Sequence, residues 1–116
     1  MPCYVVPATT QALTPDPLDP SQVVSGNPQV STHELLETDA LSVGIWQHTA
    51  GVSSDVEVDE IFVVLAGRAT IEIADGPTLE VGPGDVGVLE AGAETTWTIH
   101  DDLRKIYIIG NLAHPM

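Results

Sequence analysis

The punctuation of this chain constrains it most. From residue 32 onward, short apolar or alternating stretches are cut by turn-forming residues, at Glu37 to Ala40, Gly67-Arg68, Asp75-Gly76-Pro77 and Gly82-Pro83-Gly84-Asp85. Turns recur roughly every 8 to 12 residues, the spacing of an antiparallel sandwich or barrel. In RATIEIA (68–74), Ala69, Ile71 and Ile73 fall on one face and Thr70, Glu72 and Ala74 on the other. That period of two is the mark of a strand with one buried side. No window sustains a 3.6-residue period. The expected strands are HELLET, LSVGIWQH, VEVDEIFVVLAG, RATIEIA, TLEV, VGVLEAG, TTWTIH and LRKIYIIG, with Gly67-Arg68 as a tight connection.

Residues 7 to 30 differ. Pro7, Pro15, Pro17, Pro20 and Pro28 lie here among Ser, Thr, Asp and Gln. Each proline fixes φ and removes a donor, so neither a helix nor a central strand runs through. Residues 1–30 therefore read as an extended arm that wraps a surface or crosses to a partner subunit, and residues 31–116 as the folded domain. Tyr4-Val5-Val6 is an expected edge strand at the start of the arm.

The 116 residues suffice for one core, and 43% of them are hydrophobic, which argues against disorder. The net charge is −14, with Arg68, Arg104 and Lys105 the only basic residues besides histidine. A phosphate backbone or an anionic membrane surface would repel such a chain, so neither is an expected partner. No apolar run approaches a membrane span, and the N-terminus has no basic region or long apolar core. The lone Cys3 excludes an internal disulfide and a cysteine-rich zinc site. Together these features favour the cytoplasm.

Two segments carry a resemblance. Glu60 is followed seven residues later by Gly67 after the apolar run IFVVLA, and PGDVGVLEAG (83–92) lies downstream. In order and spacing they resemble the two motifs of the cupin superfamily. Gly44-Ile45-Trp46, Trp97 and LRKIY (103–107) make the set similar to the small single-domain cupins of the ureidoglycine aminohydrolase and ethanolamine-utilisation type. The resemblance covers roughly residues 40 to 110. It implies an all-β double-stranded β-helix, a jelly-roll barrel, and a homodimer with the arm at its interface.

The resemblance also implies where a metal would sit. Metal-binding cupins place an H-x-H pair shortly before the glutamate, and a third histidine in the second motif. Here those positions fall on Ser53 and Asp55, or on Ser54 and Val56, and near Thr95. Only Glu60 remains, with Asp55 as a possible second oxygen ligand, and one carboxylate does not hold a transition metal against water. No metal or other cofactor is expected. His33 and His114 lie outside the motif region, His48 shares a strand face with Trp46, and His100 faces away from Trp97.

A cavity then remains without a metal. Glu60 faces it by the family's ligand position, and burial would raise its pKa into the range of a proton carrier. Alternatively, Lys105 or Arg104 pairs with it as structural glue. Parity sets Lys105 with Tyr107 and Ile109, and Arg104 with Ile106 and Ile108; the polar-tipped pair Lys105 and Tyr107 is expected inward. Trp46, His48, Phe62, Thr95 and Trp97 complete the candidate ligand-binding set. Three readings stay open. The first is a metal-independent isomerase, lyase or amidohydrolase acting on a small polar metabolite, with Glu60 as acid or base and Lys105 and Tyr107 orienting an anionic group. The second is a non-catalytic ligand-binding or accessory module. The third is a metal-dependent hydrolase or oxygenase with a non-standard ligand set.

Overall fold

The computed structural model describes residues 3–111, so His114 and the last residues of the expected domain lie outside it. Nine strands form one sheet: β1 (Thr14–Pro15), β2 (Val23–Ser25), β3 (Val30–Glu37), β4 (Leu41–His48), β5 (Gly51–Val56), β6 (Glu60–Ile73), β7 (Thr78–Val81), β8 (Val86–Leu89) and β9 (Glu94–Gly110). Among the described residues a single 3-10 turn, Pro20–Gln22, interrupts them, capped by the Asp19 side chain. The sheet curls into a jelly-roll barrel, the fold that the resemblance implies.

Strands β6 and β9 organise the barrel. They pair antiparallel from Glu60↔Ile109 to Ile73↔Thr95. The first half of β6 also pairs β8 and its second half pairs β7, while the two halves of β9 pair β5 and β4. One long two-stranded ribbon thus belongs to both walls and must bend between them. The bend lies where the register shifts three times between Val64 and Ala69. Bulges of this kind bend a strand without ending its ladder. Gly67 sits in the bend at φ 87°, and a Cβ there would run into the Asp102 carbonyl oxygen. Only glycine suits both the left-handed conformation and the close approach.

This corrects the expectation of a tight connection at Gly67-Arg68, and the division of TTWTIH from LRKIYIIG. Each pair is one continuous strand, because Asp101 and Asp102 stay across from Gly67 and Arg68 and keep the ladder going. An exposed ion pair, Arg68 Nε to Asp101 Oδ2 at 2.9 Å, spans the bend. A further strand, β5, occupies GVSSDV, where none was expected, and residues 57 to 59 separate it from β6.

The proline-rich segment pairs with the edges of the sheet. β1 pairs with β3 and β2 with β5, each as a two- or three-residue edge strand, the only kind these prolines allow. Arg104 faces outward and fastens the segment: Nη1 donates to the carbonyls of Ala8 (2.9 Å) and Gln11 (3.1 Å), and Nε donates to Gln47 Oε1. Tyr4-Val5-Val6 forms no strand; the Tyr4 hydroxyl donates to the Leu35 carbonyl instead. The core gathers Phe62, Val64, Ile71, Leu89, Trp97, Ile99 and Leu103 between the walls. Each such buried side chain contributes about 1.5–3 kcal/mol through apolar burial. Among the described residues no helix is long and apolar enough to cross a membrane.

Candidate functional site

Alternation along β4, β5, β6 and β9 turns Trp46, Ser53, Glu60, Trp97, Lys105 and Tyr107 to the inside of the barrel, where they line a cavity of about 540 Å³. Its floor is aromatic. The Lys105 ammonium lies 4.3 Å from the ring centroid of Trp46, 4.6 Å from that of Trp97 and 4.9 Å from that of Phe62. Phe62 is wholly buried below it and packs against Trp97 at 5.7 Å between centroids. Each cation–π contact stabilises the ammonium by about 0.5–2 kcal/mol.

Lys105 Nζ donates to Glu60 Oε2 at 2.7 Å, with both side chains 6% exposed. Burial holds the Glu60 carboxyl above the ordinary glutamate range even so, because desolvation outweighs the neighbouring ammonium and Glu57 and Asp55 add their own negative charge. Tyr107 is half-buried on the same wall, above Gly44, where a Cβ would strike the phenol oxygen. Burial raises the Tyr107 pKa, so its hydroxyl stays protonated as a donor.

The remaining expected residues fall into two groups. Thr95 and Trp97 are bound to a residue that the sequence reading passed over, Glu57. Thr95 Oγ1 donates to Glu57 Oε2 at 2.6 Å, and Trp97 Nε1 donates to the same oxygen at 3.0 Å. On an unbroken strand, the odd spacing would send Glu57 and Glu60 to opposite faces. The break at residues 57 to 59 lets both face inward, in line with Ser53 and Asp55. His48 is 1% exposed and set apart from the cavity. Its Nδ1 donates to the Thr49 carbonyl at 2.6 Å, and its Nε2 accepts from Ser53 Oγ at 2.8 Å. Burial lowers its pKa, so the ring stays neutral and acts as a brace for β5. His100 is exposed and bonded to Thr70.

These donors do not fit a transition metal. At the positions where the resemblance implies ligands stand Ser53 and Asp55, or Ser54 and Val56, together with Glu60 and Thr95. Both His48 nitrogens are engaged, and an ammonium occupies the approach to Glu60. Among the described residues no three His, Cys, Asp or Glu side chains gather as a metal site.

Residues 35–107 match the EutQ-like cupin domain family. A crystal structure of a protein of unknown function from Pseudomonas syringae pv. tomato str. DC3000 is 32% identical, with a TM-score of 0.77 over 85% of this chain and 44% of that one. The EutQ protein of Clostridium difficile is 23% identical, with a TM-score of 0.64 over 72% of this chain and 63% of that one. A cupin superfamily protein from Desulfitobacterium hafniense DCB-2 is 20% identical, with a TM-score of 0.60 over 71% and 77%. This chain thus spans less than two thirds of the first two. No curated protein matches it.

Proposed function

We infer, because this chain belongs to the EutQ-like cupin domain family, that its barrel is a binding site for a small polar metabolite and works on it without a metal, by proton transfer through Glu60. The observation that carries this is the Lys105–Glu60 pair on the cavity floor. A carboxyl whose pKa burial raises takes up and gives back a proton more readily than an ordinary glutamate. The ammonium beside it, held by three rings, stabilises negative charge developing on a substrate oxygen. Tyr107 supplies a further hydrogen-bond donor from the same wall. Isomerisation, elimination and amide hydrolysis all use such a set.

The test is turnover. Metabolites that raise the melting temperature are incubated with the protein and followed by proton NMR. Glu60→Gln is expected to lower product formation by about 10²–10⁴-fold while binding persists. Unchanged turnover in Glu60→Gln would sink the catalytic reading. One observation favours a non-catalytic module instead: Glu60 and Lys105 already satisfy each other. Saturable binding without product would establish that alternative.

The same reading extends to self-association in the cytoplasm. Val86 and Val88 on β8 are 64% and 67% exposed, and they adjoin Ile61, Val63, Ile106 and Ile108 on the outer face of the sheet. An exposed apolar patch of this kind suits a second copy of the chain.

A further inference from the structure

The cavity carries an imbalance of charge that its proton-transfer pair does not explain. Five carboxylates line it, Asp16, Glu34, Asp55, Glu57 and Glu60, against one ammonium, Lys105. That ammonium is committed to Glu60. Among the described residues the only ion pairs are Lys105–Glu60 and Arg68–Asp101, so no described cation pairs with the other four.

Glu57 is where this matters most. It is 7% exposed, and a carboxylate so far from water is ordinarily paired with a cation. Its two side-chain hydrogen bonds come from neutral donors, Thr95 and Trp97, and both reach Oε2. Every fully buried side-chain nitrogen and oxygen has a partner. Oε1, to which no donor is directed, is therefore the oxygen open to the cavity. Asp55 stands at the rim of the same wall, and burial together with the Glu57 charge raises its pKa. Two acids thus crowd each other on one side of the cavity with no cation between them.

We propose that the ligand is a small protonated amine, whose ammonium donates to Glu57 Oε1 between Glu57 and Asp55 while its uncharged end reaches the aromatic floor. An ammonium with N–H donors suits an oxygen that still has acceptor capacity, and it relieves the repulsion between the two acids. This replaces the anionic ligand group expected from the sequence, which these walls would repel. The inference rests on the reading of the cavity as a ligand site.

The Trp97 indole N–H is bonded to the carboxylate in question, and Trp46 and Trp97 are the only tryptophans. Two indole resonances in a nitrogen–proton NMR spectrum of the full chain therefore report on the site. Matched probes n-butylamine, n-butanol and butyrate are titrated, with magnesium chloride as a fourth. Butylamine is expected to shift the Trp97 resonance saturably, with affinity about ten-fold or more above butanol and butyrate, and to weaken with added salt. Glu57→Gln is expected to weaken butylamine by about ten-fold or more. Asp55→Asn, at the exposed rim, where Oδ1 accepts from the Val56 N–H and from Gln22 Nε2, is expected to weaken it by a smaller factor and covers the case in which Glu57→Gln does not fold. Butanol or butyrate binding as well as butylamine overturns the amine while leaving the cavity reading intact. A shift with magnesium alone overturns it in favour of a hard-cation site. No saturable shift with any probe overturns both readings.

Discussion

Replacing Lys105 by methionine removes the cation from the cavity floor but keeps the length of the side chain over Trp46, Phe62 and Trp97. Glu60 is then left 6% exposed with no donor, among Glu57 and Asp55. Removing one partner of a buried pair typically costs about 3–5 kcal/mol, because the other charge stays behind. For a domain of this size that corresponds to a fall in Tm of roughly 12–20 °C. The cost depends on pH with a definite sign. Glu60 in the folded chain has a pKa above its unfolded value, so the folded state binds the extra proton. Its favourable contribution is present below the unfolded value of 4.5 and is lost as pH rises through the folded pKa. Without Lys105 the folded pKa climbs further and the window widens. Lys105→Met is therefore expected to be close to wild type near pH 4 and fully destabilised at pH 8. Urea denaturation followed by tryptophan fluorescence at both pH values measures this. Adding Glu60→Leu to Lys105→Met is expected to recover most of the loss at pH 8, since a neutral pair replaces an unpaired charge. A Lys105→Met variant as stable as wild type at pH 8, or a double variant worse than the sum of the single ones, would refute the reasoning.

Two further outcomes follow from other parts of the molecule. Gly67→Ala is expected to cost about 1–3 kcal/mol from the left-handed backbone alone, and more from the contact with the Asp102 carbonyl; equilibrium denaturation checks it, and the pocket chemistry is expected to weaken in parallel as the two walls shift. In sedimentation or light scattering the protein is expected to run as a dimer, and Val88→Glu, which puts a charge on the apolar outer face, is expected to shift it toward monomer without lowering Tm by more than about 0.5 kcal/mol equivalent of monomer stability.

Local pattern carried much of this protein. Period-two alternation identified strands, and parity along LRKIY separated Lys105 and Tyr107 from Arg104: the first two line the cavity, and Arg104 holds the N-terminal segment outside. The turn residues marked where chains change direction but not how. Gly67 has the composition of a hairpin turn, yet it lies inside a fourteen-residue strand, because β9 bends alongside it and keeps the ladder intact. Glu60 was legible through its motif. Glu57 was not, since an alternating strand would have turned it outward, and only the break between β5 and β6 brings it inside. His48 shares a face with Trp46, as alternation requires, but its ring is consumed by Thr49 and Ser53. Alternation along one strand is a property of the backbone and can be read from the order of residues. Which charges meet across a cavity depends on strand pairings 38 to 45 residues apart, Thr95 with Glu57 and Lys105 with Glu60 among them. Those pairings set the desolvation and the counter-charge of each acid, and so only the folded barrel decided which carboxylate meets an ammonium and which meets neutral donors alone.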